Sequence, residues 1–162
     1  MYPSLLALAA TVSATFLIAA LSAGDAPPDP GPSPEWTPAE VVRLQVEALQ
    51  RNDHPHEDAG IETAFEFASP GNRAATGPLP RFARMVHGPV YRDMLDFERA
   101  EYGRVRVEGD RAAQEVTLVR PDGRRVTFLF GLSRQPDGDC AGCWMTDAVV
   151  RRDAPADGTI GA

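Results

Sequence analysis

No lysine occurs in this chain. All 16 cationic side chains are Arg, set against 23 Asp and Glu, for a formal charge of −7. An all-Arg balance reflects a GC-rich genome more readily than an activity. Five of the acids (Asp25, Asp29, Glu35, Asp153 and Asp157) lie in the flanks, so Pro38–Arg152 carries 18 acids against the 16 Arg. A near-neutral domain with acidic tails lacks the clustered basic surface that nucleic-acid binding requires, and no nucleic-acid partner is expected. Arg81 with Arg84, and Arg124 with Arg125, read as ordinary solvated groups. Specific catalytic motifs are missing too. Ser69 and Ser133 lack a G-x-S-x-G frame, and no Gly-rich loop is placed to cradle a phosphate. No regular C-x-x-C…H-x-x-H spacing supports a zinc site. Neither a metal nor a cofactor is expected. Cysteine is scarce, with Cys140 and Cys143 alone, so none stands near the N-terminus to accept a lipid.

What is present first is a long apolar run. Pro3 to Ala23 contains no charged side chain and leads into Gly24–Pro34, an acidic tract of alternating prolines. Ala20-Leu21-Ser22 before Ala23 offers a small-x-small cleavage site, although the basic start of a signal peptide is missing apart from the terminal amine. At about 20 residues the run is also long enough to span a bilayer as a helix. The expected organisation is a signal peptide or membrane anchor over 1–23, with the signal peptide as the first reading. A Pro-rich acidic linker follows over 24–36, then a single α+β domain over 37–152 and a disordered tail over 153–162. The domain is expected outside the cytoplasm, in a periplasm or at a cell surface, and attached to a membrane only if residues 3–23 are retained. Its length, about 115 residues, suits one hydrophobic core.

Thr37-Pro38-Ala39-Glu40 is a capping box, and the stripe of Val42, Val46 and Leu49 behind it predicts a helix ending near Asn52. Ile61, Ala64, Phe65 and Ala68 repeat at helical spacing, with Pro70 read as the stop. Leu79, Phe82 and Val86 predict a third helix closed by Gly88, and Tyr91, Met94 and Leu95 a further turn. After Asp96 the period becomes two: Val105 and Val107, Val116 and Leu118, then Val126, Phe128, Phe130 and Leu132. Arg120-Pro121-Asp122-Gly123-Arg124 signals a hairpin, as does Glu108-Gly109-Asp110. A last strand runs from about Trp144 to Arg151. Helices followed by an antiparallel meander predict an α+β fold with N-terminal helices on one face of the sheet.

Several longer words carry a resemblance. Asp58-Ala59-Gly60-Ile61-Glu62, Phe67-Ala68-Ser69-Pro70-Gly71-Asn72, Thr76-Gly77-Pro78-Leu79 with Arg81-Phe82 and Met85-Val86, and Cys143-Trp144-Met145-Thr146-Asp147 resemble the family catalogued as domain of unknown function 4864. The likeness covers about Pro38–Arg152. The order of elements is similar to the nuclear-transport-factor-2-like (cystatin-like) superfamily. That resemblance implies a curved sheet wrapped round a long helix, with a cone-shaped pocket between them. The uncharacterised family brings no agreed activity or catalytic residues, and the superfamily spans isomerases, dehydratases, binding proteins and domains without chemistry.

Three groups of residues are candidates for function. Cys140-Ala141-Gly142-Cys143 falls in the last hairpin loop. A redox pair needs a helix N-terminus or nearby cations to lower a thiol pKa, whereas Asp137 and Asp139 precede this one and a strand follows. The first reading is a disulfide stapling the loop, with untied thiols or a thiol redox protein as alternatives. His54-Pro55-His56-Glu57-Asp58 gathers imidazoles and carboxylates that the two Cys could complete as a zinc site. The plainer reading is a loop whose Asp58 or Glu57 caps the next helix. His87, Tyr91 and Asp96 lie near the junction of helices and sheet. A His or Asp base with a Tyr donor can abstract a proton beside a carbonyl, which gives a small lyase or isomerase as the alternative function. In the cone fold Tyr91, Tyr102, Phe128, Phe130 and Trp144 are the candidate ligand-binding wall. Thr117, Val119, Leu129 and Met145 are expected on the outer sheet face, where a homodimer would form. The first reading of function is an exported, non-enzymatic binding or interaction domain for a small apolar ligand or a protein partner.

Overall fold

The chain enters its first helix through reciprocal hydrogen bonds. In the computed structural model, which describes residues 30–152, Thr37 Oγ1 accepts from the Glu40 backbone N–H at 3.3 Å, while the Glu40 carboxylate accepts from the Thr37 N–H at 2.8 Å. The Thr37 hydroxyl and then its backbone N–H hold Glu40 below the usual carboxylate range. The signal or anchor segment 1–23, the first part of the linker and the tail 153–162 lie outside the described residues. The end of the linker lies against the domain: Trp36 Nε1 donates to the Gly31 carbonyl at 3.2 Å and its ring packs on the core. Among the described residues no helix is long and apolar enough to cross a membrane.

The helices are α1 (Pro38–Gln50), α2 (Ala59–Glu66), α3 (Pro70–Thr76) and α4 (Leu79–Val86), followed by a 3-10 turn at Arg92–Met94. Gly60 permits the close crossing of α1 and α2, because a Cβ there would stand 2.2 Å from the Ala48 carbonyl oxygen. One expectation is corrected here. Pro70 does not simply end the second helix: α2 stops at Glu66, and Pro70 is the first residue of α3. Ser69 Oγ accepts from the Asn72 N–H at 3.3 Å, and a proline at that position gives up only an N–H that the helix leaves unpaired anyway.

The strands are β1 (Arg99–Tyr102), β2 (Arg106–Glu108), β3 (Arg111–Val119), β4 (Arg125–Arg134) and β5 (Trp144–Arg152). All pairings are antiparallel, in the order β1-β3-β4-β5, with β2 also paired to β3. The fold is therefore α+β. Strand β1 was not among the expected elements. The β3–β4 hairpin closes where anticipated, with Gly123 at φ 82, a conformation that other residues rarely adopt.

One hydrophobic cluster joins Val42, Val46 and Leu49 of α1 and Ile61 of α2 to Val116 and Leu118 of β3 and Phe128, Phe130 and Leu132 of β4. Alternate residues of the two strands thus enter the core, each worth about 1.5–3 kcal/mol of transfer free energy when fully buried. The intervening residues form the outer face. Thr117 and Leu129 are half-buried there, but Val119 and Met145 are buried and add little apolar surface. Thr117 and Thr127 share a hydrogen bond of 2.8 Å. Glu101 pairs with both Arg99 and Arg125, and Glu115 with Arg152.

Candidate functional site

Gln45 occupies the apolar stripe of α1, three and four residues from Val42, Val41 and Leu49, and is buried. A polar side chain in that stripe needs partners. Its Nε2 donates to the Val41 carbonyl at 3.1 Å and to Thr146 Oγ1 at 2.8 Å, across 101 residues of sequence. Thr146 is buried on β5 and is locked to the end of α2. Its N–H donates to the Phe67 carbonyl, and its own carbonyl accepts from the Ser69 N–H at 2.9 Å and from Asn72 Nδ2 at 3.0 Å. Thr76 Oγ1 in turn donates to the Asn72 carbonyl at 2.8 Å. Gln45, Thr146, Asn72 and Thr76 therefore form a continuous polar strip from α1 across β5 to α3.

That strip is one wall of a pocket of about 260 Å³. The other walls are apolar: Leu49, Ala64, Phe82, Met85, Val86, Met94, Phe130 and Val149, with Tyr91 presenting a ring and a hydroxyl. Met85 and Met94 line the cavity and do not fill it. The single charged lining residue is Asp147, exposed, whose Oδ1 accepts from Ser133 Oγ at 2.9 Å. It is the extra residue of an irregularity in the β4–β5 ladder, where Gly131 pairs with Ala148 and Leu132 with Thr146. Two residues on one strand facing one on the other make a β-bulge, a common device beside binding sites.

The residues expected to act chemically are dispersed. Tyr91 lines the pocket, but its hydroxyl donates to the Val149 carbonyl at 3.1 Å and its ring stacks near Phe128, with centroids 6.4 Å apart. His87, at the end of α4, pairs instead with Asp58 at 2.8 Å. Burial pushes the Asp58 carboxyl up, but hydrogen bonds from Asn52 and His87 and the His87 charge outweigh it and hold the group below its ordinary value. Asp96 lies on a separate, open depression with Gln50 to His54. Of the aromatic wall, Phe130 and Tyr91 reach the pocket. Phe128 and Trp144 are core residues, and Tyr102 lies under the Arg43 guanidinium, 4.7 Å from its ring centre. Burial, helped by Glu47 and opposed by Arg43, pushes the Tyr102 hydroxyl up.

Cys140 and Cys143 are disulfide-bonded with Cα atoms 5.4 Å apart, in the β4–β5 turn. The histidine-rich loop makes other pairings: His56 with Glu62 at 3.5 Å, and Asp58 with Asn52 and His87. Among the described residues no group of three or more His, Cys, Asp and Glu is placed to hold a metal ion. Asp58 occupies the N-cap position of α2 without a side-chain cap bond. The cap comes from Asn52, whose Oδ1 accepts from the Ile61 N–H at 3.1 Å and whose carbonyl accepts from the Gly60 N–H at 2.9 Å.

No curated protein and no solved structure matches the chain. The model of one family, described as a domain of unknown function (DUF4864), matches residues 35–157, most of the chain and all of the pocket. The chain belongs to the DUF4864 family.

Proposed function

We propose that this chain is an exported, non-enzymatic binding domain whose pocket takes a small, largely apolar ligand. The observation that carries the reading is the cavity itself, apolar on most sides and bounded by one polar strip, as small-molecule sites commonly are. The dispersal of His87, Tyr91 and Asp96 favours binding over the lyase or isomerase alternative, because an acid–base pair must converge on one reacting atom. In this reading the domain has the nuclear-transport-factor-2-like arrangement, with its helices against one face of a curved sheet and the ligand held between them. The leader 1–23 directs export and acts as an anchor only if it is retained. Thr117, Leu129 and the exposed Val150 are the apolar part of the outer face available to a second copy.

Native mass spectrometry of the protein recovered from its producing cells tests these elements together. An added small-molecule mass, lost on denaturation, is the expected result, with leader cleavage and dimer formation read from the same spectrum. A bare protein that also leaves the Met85 and Met94 methyl resonances unmoved by any small hydrocarbon would remove the binding reading. Sedimentation as a strict monomer at micromolar concentration would remove the dimer.

A further inference from the structure

The polar strip has a sense as well as a place, and it limits the ligand's chemistry. Val41's carbonyl can only accept, so the Gln45 amide must turn its nitrogen toward it. Both Nε2 hydrogens are then committed, to Val41 and Thr146. Oε1 accepts from the Thr146 hydroxyl at 3.2 Å, and what Gln45 retains is the second lone pair of that oxygen. Tyr91 and Thr76 are in the same condition, their hydroxyl hydrogens going to the Val149 and Asn72 carbonyls. Asn72 commits one amide hydrogen to the Thr146 carbonyl and keeps one donor hydrogen. The wall is rich in spare acceptors and poor in spare donors. No Arg or His is among the lining residues, and the one carboxylate, Asp147, is exposed. An anion entering this cavity would lose its water and meet no cation, at a cost that a single amide N–H does not offset.

We infer that the pocket selects neutral ligands that carry an O–H or N–H donor on an apolar body, such as a primary amide or an alcohol, and rejects carboxylates of the same shape, with Gln45 as the specificity-determining residue. This inference rests on the binding reading above and adds the polarity of the ligand to it.

The test follows the methyl signals of Met85 and Met94, which line the cavity, during titration of the purified protein with cyclohexanecarboxamide, cyclohexanecarboxylate and methylcyclohexane. The carboxamide should bind at least about tenfold more tightly than the carboxylate, the difference that one charge-sensitive hydrogen-bonding group commonly makes. Gln45→Met should weaken the carboxamide about tenfold while leaving methylcyclohexane unchanged. Because Gln45 also ties α1 to β5, Thr76→Val provides a second variant at a half-exposed position, with a smaller loss in the same direction. Equal affinity for amide and carboxylate, or equal weakening of amide and hydrocarbon by Gln45→Met, overturns the inference and leaves the pocket reading standing. Failure of all three probes, the hydrocarbon included, overturns the pocket reading itself.

Discussion

Strands β3 and β4 present one backbone to two environments. On the core side Val116, Leu118, Phe128, Phe130 and Leu132 are almost wholly excluded from solvent. One residue along, on the outer side, stand a Thr117–Thr127 hydrogen bond and the carboxylates of Glu101 and Glu115 paired with Arg99, Arg125 and Arg152. The inner face gains from removing carbon from water, and that gain scales with buried area. The outer face gains from contacts between groups that water would otherwise satisfy, so its ion pairs contribute little each. Charge does reach the inner side at one end. Asp93 is buried beside Arg151 at 2.9 Å and Arg120 at 3.6 Å, with Arg124 at 3.9 Å. There the energetics differ again, because each partner must neutralise a charge that water no longer reaches.

Substitutions graded along this contrast can break it. Phe128→Ala should be the most damaging, costing about 3–5 kcal/mol in urea unfolding through lost transfer energy and the cavity left behind. A cost no larger than that of an outer-face change would mean that the inner face is loosely packed. Asp93→Ala should follow, at up to about 3 kcal/mol, since it removes the buried carboxylate that Arg151 and Arg120 share. An unchanged midpoint would show the cluster to be solvated like the outer face. Glu101→Gln should have the smallest effect and a telling pH dependence. Arg125 and then Arg99 hold the Glu101 pKa down from 4.5 to about 2. The carboxylate therefore adds stability at pH above its unfolded value, and this is lost as pH falls from about 4.5 through about 2. Wild type and Glu101→Gln should differ slightly at neutral pH, less in molar salt, and not at all below pH about 2. A difference that grows in acid would reverse the sign of the argument.

The helices and strands whose signals are local were legible in the sequence. The capping box set the start of α1, and alternation set β3 and β4. Strand β1 was not legible, because only Ala100 and Tyr102 among its four residues turn toward the core and Arg99 and Glu101 read as loop. Helix α3 was hidden because none of its residues is buried, so it has no stripe, and Pro70 serves a helix start as well as a stop. The site was the least accessible part. Tyr91 and Phe130 were among the candidates, as bulky aromatics naturally are. The polar strip was missed because Gln45 and Thr146 meet across 101 residues. One signal was there to be read: Gln45 interrupts the apolar stripe of α1, and a buried amide in such a position must have a distant partner.

The bulge at Asp147 has a consequence for how this chain can change in length. Thr146 and Val149 both lie opposite core residues of β4, Leu132 and Phe130, although three positions apart. A regular strand would place them on opposite sides, and the extra residue is what reconciles them. Removing Asp147 would leave an ordinary ladder with the same side chains meeting as before. Few places in a sheet tolerate a one-residue deletion, and this one borders the cavity. Lineages of this fold can therefore reshape the cavity's lining by a single codon while the hydrophobic interior stays in register.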